Sequence, residues 1–204
     1  MSASPVAVRS HLPADWKYQT KNTVLLPYSE RHVHIYPENF LCSVYYRLKE
    51  EGTLETIYPG MDVGHLNRFI CYMGSPQRLG FVVPCLKSDG APPKPVGIGW
   101  LCEAIKGRGS FGFGFFKEVW GKWEHADLSM QMLAWWFFES KMEVLYGTTL
   151  NRVAFNYSKR FGFKPVGTLP KFFSTTAGLE DGQLIVLEKE RFIPYYNWWK
   201  ARRG

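Results

Sequence analysis

Histidines and cysteines are few in this sequence, five and four, and their spacing excludes more chemistry than it supports. His32 and His34 flank a single residue, so they fall on one face of an extended segment. A zinc site needs at least three protein ligands, and no third ligand accompanies this pair, so no metal is expected. Cys42, Cys71, Cys85 and Cys102 stand singly inside apolar segments with no CxxC. They read as reduced core residues. The C-terminal run IPYYNWWKARRG interleaves Tyr195, Tyr196, Trp198 and Trp199 with Lys200, Arg202 and Arg203. Aromatics beside cations can stack bases and pair phosphates. A segment of this composition more often docks on its own domain or on a partner chain, so nucleic acid is not the expected ligand.

Bulk properties set the frame for these residues. The chain has 204 residues, which suits one domain with a real core. Hydrophobic residues make up 46% and aromatics 17%, a composition that excludes a disordered chain. The net charge of +7 favours acidic ligands, whether a phosphorylated cofactor, a nucleic acid or an acidic protein face, and is equally met by a solvated lysine surface. The N-terminal MSASPVAVRSHLPADW has no apolar signal core. No run approaches the roughly 20 apolar residues of a membrane span, so a soluble, cytoplasmic protein is expected.

The elements follow from periodicity. Residues 1–30 are polar and Pro-punctuated and read as an irregular arm. PENFLCSVYYRLKEEG places Phe40, Leu41, Val44, Tyr45 and Leu48 at helical spacing between Pro37 and Gly52. Residues 53–65 read as a connector. RFICYMG and RLGFVVPCL read as a hairpin joined by Ser75, Pro76 and Gln77, and SDGAPPKP reads as a loop. VGIGWLCEAI and SFGFGFFKEVW are two further strands about the KGRG turn, the second alternating Phe111, Phe113 and Phe115 with glycine. Residues 124–142 are apolar nearly all round, the pattern of a buried helix. VLYGTTL is a strand, and Asn151 to Phe161 a helix that stops at Gly162 and turns into the strand FKPVGTLPKFF. A last strand, QLIVLEKERF, follows the loop STTAGLEDG. The expected organisation is an arm (1–30), an α/β domain (31–193) and a basic-aromatic tail (194–204).

Helix, strand meander, buried helix, strand, helix and two strands: this order resembles the GNAT superfamily of acyl-CoA-dependent N-acetyltransferases. The motif-level likeness runs from Val119 to Gly167. Trp120, Gly121 and Lys122 resemble the turn that opens the family's long helix, and Asn151, Ala154, Gly162, Phe163 and Gly167 resemble its second helix and the strand beyond. The likeness implies a mixed, mostly antiparallel twisted sheet of about six to seven strands with helices on both faces. It also implies that the strands flanking the buried helix splay apart, so that the pantetheine arm of CoA pairs with their open edges like an added strand. The chain also resembles small GNAT-like bacteriophage products, some of which are thought to travel in the virion.

The resemblance nominates site residues. The CoA diphosphate would sit on the buried helix's N-terminus, where free N–H groups favour an anion. Phe116, Lys117, Val119, Gly121, Lys122, Trp123, Asn151 and Ala154 are the implied cofactor-binding set, with backbone N–H groups around Phe116 to Val119 steadying the oxyanion. Trp123 stands where the family's second loop glycine is expected, and Glu124 and Asp127 add negative charge beside it. The family's acid tyrosine falls on Ser158, with Tyr157 one residue earlier. Glu118 and His125 are the implied bases. The implied activity is acetyl transfer from acetyl-CoA to a primary amine, free or on a protein. The alternative is a catalytically silent GNAT fold acting as a structural or interaction module, with protein partners or a second copy of itself.

Overall fold

A computed structural model describes residues 16–27, 40–58, 64–73, 78–175 and 177–203. The His32 and His34 pair, Pro37 and the Ser75–Gln77 joint lie outside them. One sheet of eight strands organises the chain. In chain order these are β1 (Thr23–Pro27), β2 (Arg78–Ser88), β3 (Ala91–Pro95), β4 (Gly97–Ile105), β5 (Arg108–Phe115), β6 (Val144–Thr149), β7 (Lys164–Thr175) and β8 (Gly178–Glu188). Across the sheet the order is β1-β2-β4-β5-β6-β8-β7, with β3 also paired to β2. Every pair is antiparallel except β5 with β6. A parallel pair needs a long crossover, and α4 (Trp123–Phe138) supplies it. Helices α1 (Phe40–Glu50), α2 (Leu54–Ile57) and α3 (Leu66–Met73) precede β2, α5 (Arg152–Lys159) joins β6 to β7, and α6 (Lys189–Arg203) follows β8.

Glycines in the central strands let helices cover both faces. Successive strand residues point to opposite faces. On β4, a β-carbon at Gly99 would lie 2.7 Å from the Met132 sulfur, so this face receives α4. Its neighbour Trp100 points the other way. The Trp100 ring lies across Gly112, where a β-carbon would sit 2.3 Å away, and stacks on Tyr58 at 5.3 Å. Ile57 crowds Gly114 on that same side, so the α1–α3 layer covers it. The Phe-Gly alternation is thus a packing code: phenylalanines face α4 while glycines make room opposite. Leu128, Ala134, Trp136 and Phe137 of α4 are fully buried, which is why its sequence lacks a polar stripe.

Several elements differ from the sequence expectation. The segment read as the strand RFICYMG is helix α3: Phe69 and Met73, one turn apart, are both buried, and Phe69 meets Tyr45 and Tyr58 at 5.5 Å each. Residues 23–27 of the arm form β1, which zips along β2 from Thr23↔Leu86 to Pro27↔Val82. The proline-rich SDGAPPKP contains β3, which among the described residues pairs to β2, and an edge position tolerates missing N–H donors. Helix α6 runs unbroken from Lys189 to Arg203 through Pro194, so the segment read as the end of a strand at 189–192 is helical. Of the cysteines, Cys85 is buried, Cys42 and Cys102 are half-buried, and Cys71 lies exposed on α3.

Candidate active site

The parallel pair opens. Partners between β5 and β6 are confined to Arg108↔Val144, Gly109↔Leu145 and Ser110↔Tyr146. Beyond Ser110, β5 continues to Phe115 on β4, and β6 continues to Thr149 on β8. The two strands therefore part into a wedge. The direction of the open backbone groups follows from register. The N–H of Phe116 donates to the carbonyl of Val96 at 2.9 Å, and hydrogen-bonded positions alternate in an antiparallel pair. Gly114 and Gly112 thus face β4, whereas Phe113 and Phe115 turn their N–H and C=O groups toward the wedge. The Phe115 carbonyl accepts the Trp120 indole N–H at 3.0 Å.

Above the wedge sits a cluster made by α4 and α5. The His125 ring stacks on Tyr157 at 4.5 Å and 17°, and meets the edge of Phe115 at 4.6 Å. Ser129, one turn along α4, donates its hydroxyl to the His125 carbonyl at 2.8 Å and lies 3.1 Å from the Tyr157 hydroxyl. Burial lowers the imidazole from its ordinary 6.5 to about 4, so His125 is uncharged at neutral pH. Burial also pushes the Tyr157 phenol up to about 12, against the smaller opposing effects of Ser129 and Arg160, so it keeps its proton. Ser158 also borders this space, but its hydroxyl donates back to the Phe155 carbonyl at 2.7 Å. The cavity beneath, lined by Phe113, Ser129, Tyr157 and Phe161 among others, measures about 10 Å³, room for roughly one water.

Glu118 lies elsewhere. The chain after β5 makes one 3-10 turn, Lys117–Val119. This turn hands the Glu118 carboxylate to Arg47 at 2.8 Å and Lys94 at 2.5 Å. Burial would raise its pKa, and the two cations outweigh that and lower it. Three of the expected oxyanion donors are spent: besides Phe116, Lys117 N–H donates to Glu51 at 2.8 Å and Val119 N–H to the Phe116 carbonyl at 3.2 Å. The donors that face the wedge lie earlier, on β5, at Phe113 and Phe115.

The start of α4 is open. Lys122 occupies the N-cap without a side-chain hydrogen bond, and Gly121, at φ +74°, has nothing within 4 Å of where a β-carbon would project. Trp123 is 71% exposed and turned outward beneath the Arg203 guanidinium, 4.7 Å away. Arg203 is held by α6, whose Trp199 donates to buried Asp127 at 2.8 Å; Arg203 itself lies 3.6 Å from the other Asp127 oxygen. An uncapped helix start, an open glycine and two flanking cations fit a diphosphate, and Glu124, which accepts from Asn22 at 3.4 Å, is the opposing charge.

The corner after β6 is built by local rules. Asn151 caps α5, accepting from Val153 at 2.8 Å and Ala154 at 3.2 Å, so its side chain is committed to the helix. Ala154 sits in that first turn, half-buried. Gly162, at φ +96°, ends the helix under Tyr195, and Phe163 packs on Phe111 at 5.1 Å. The sequence reading missed Ser129 and Phe113. Among the described residues no three His, Cys, Asp or Glu side chains gather, and no helix is long and apolar enough to cross a membrane.

No family model and no curated protein matches the sequence. Solved structures do match in shape. The spermidine N-acetyltransferase of Vibrio cholerae, in complex with CoA and spermine, aligns with TM-score 0.65 and 13% identity over 84% of this chain and 98% of its own. A GNAT-family acetyltransferase of Bacillus anthracis aligns with TM-score 0.59 and 11% identity over 84% and 98%. The chain has the GNAT acetyltransferase fold.

Proposed function

We propose that the protein is an N-acetyltransferase that moves an acetyl group from acetyl-CoA to a primary amine. The observation that carries this reading is the wedge, whose strands share partners at three positions and then part beside a protonated tyrosine. Gly121, Lys122, the first N–H groups of α4 and Arg203 would hold the diphosphate, and Phe113 with Phe115 would offer the backbone edge to the pantetheine arm. When bound, acetyl-CoA supplies a thioester carbonyl open to attack by the amine and a sulfur that leaves.

Magnitudes assign the proton carriers. His125, at about 4, is a poor base for an amine proton near neutral pH, so its part is to wall the site and fix Tyr157. Tyr157, at about 12, is a much weaker acid than a free thiol of about 8.5. It therefore gives its proton toward sulfur only as it takes up the one the amine sheds. Glu118 is committed to Arg47 and Lys94 and takes no part. The net charge of +7 opposes a polycation, so a monoamine, free or on a protein, suits this chain better than the spermine held by the Vibrio neighbour.

The direct test is thiol release from acetyl-CoA with a panel of primary amines. Binding is tested separately by thermal shift, since CoA at 100 times its dissociation constant stabilises the native state by about 2.7 kcal/mol. A flat thermal shift and no turnover would leave a scaffold with the shape of an enzyme.

A further inference from the structure

Counting hydrogens across the α4–α5 contact reveals a second participant. A serine hydroxyl has one hydrogen. That of Ser129 donates to the His125 carbonyl at 2.8 Å. The 3.1 Å contact between Ser129 Oγ and Tyr157 Oη must then be donated by the phenol. Ser129 is 3% exposed, so no bulk solvent competes for this bond. We infer that Ser129 is a positioning residue for Tyr157: it holds the phenolic hydrogen on a fixed line at rest, and turns its own O–H from the His125 carbonyl to the phenolic oxygen when that hydrogen moves away.

The turn is chemically inexpensive. The His125 carbonyl lies four residues before Ser129, so the helix pattern supplies it with the Ser129 backbone N–H in either state. The phenolic oxygen, by contrast, gains a donor only when it carries negative charge, and hydrogen bonds to a charged oxygen are the strong kind. The proton account closes. Tyr157 Oη gives its proton toward the departing sulfur, receives the proton lost by the amine as the new C–N bond forms, and returns to a phenol bonded to Ser129. The catalytic consequence rests on the transferase reading above; the hydrogen-bond switch does not. The other groups facing Tyr157 are His125, stacked and neutral, Asp127, whose charge opposes ionisation, and Arg160, whose charge favours it.

The experiment is fluorine NMR of protein labelled with 3,5-difluorotyrosine, whose fluorines make the phenol more acidic, with the Tyr157 signal assigned by its loss in Tyr157→Phe. Ser129→Ala should move the Tyr157 midpoint up, and Ser129→Thr, which keeps the hydroxyl, should restore it. An unchanged midpoint in Ser129→Ala overturns the inference. Acetylation assays on the same proteins separate the two readings. A moved midpoint in a protein that never acetylates an amine retains the switch and removes the transferase. Turnover with an unmoved midpoint does the reverse. In an active enzyme Ser129→Ala should lower kcat about tenfold at unchanged amine KM and shift the alkaline limb of the pH profile upward, whereas a rise in KM alone would mark Ser129 as packing.

Discussion

Glu118 lies in the turn that leads from β5 into α4 and His125 in the first turn of α4, and the fold treats them in opposite ways. Glu118 stays charged and has a cation on each oxygen. His125 is desolvated between Phe115 and Tyr157 and has lost its charge. Both are titratable groups close together in sequence, yet the charged one is a structural tie between α1, β3 and the turn, and the neutral one packs on Tyr157 beside the wedge. A group's availability is set by what already occupies its lone pairs, and proximity in sequence does not report it.

The largest effect that bears on this contrast is at the tyrosine His125 supports. Tyr157→Phe should cost about 10²–10⁴ in kcat with the fold intact, read by thiol release and circular dichroism. If Glu118→Gln costs as much, the contrast is broken. Next is acid stability. The folded pKa of His125 lies below its unfolded value, so stability is full above pH 6.5 and falls between there and about 4, by up to about 3 kcal/mol. His125→Phe, which keeps a ring on Tyr157, should flatten this limb in urea titrations at stepped pH. Asn151→Ala, which loosens the helix that carries Tyr157, should cost about 1 kcal/mol in the same titration. Glu118→Gln comes last. Its carboxyl is lowered below 4.5, so its contribution is present above that pH and is lost only as pH falls through the lower folded value. That variant should change kcat less than about threefold and remove only the most acidic part of the unfolding profile.

What the sequence disclosed is what local rules determine. Asn151 before α5 and Gly162 after it are a cap and a left-handed stop, each legible within a few residues. The Phe-Gly alternation of β5 needed only the two-residue period of a strand. The failures share a different cause. Helix α3 is a short apolar run whose period is ambiguous, and it is settled by packing on Tyr45 of α1 and on Tyr58 beyond α2, outside the run itself. No glycine or proline separates β8 from α6 at Glu188 and Lys189, so strand and helix read as one segment. Ser129 carried no signal at all, because its partner Tyr157 sits on another helix and no spacing rule connects them. The donors at Phe113 and Phe115 depended on register, which begins from the bond between Phe116 and Val96.

The bond from Trp199 to Asp127 has a consequence for synthesis. Asp127 is a buried carboxylate in the second turn of α4, and its partners Trp199 and Arg203 are made more than 70 residues later. Until they emerge, Asp127 lacks the two partners that accompany its burial, so the crossover helix should remain unsettled however complete the sheet beneath it. Nascent chains stalled before Trp199 should be cut by protease within α4, and full-length chains held outside the ribosome by an appended C-terminal linker should resist.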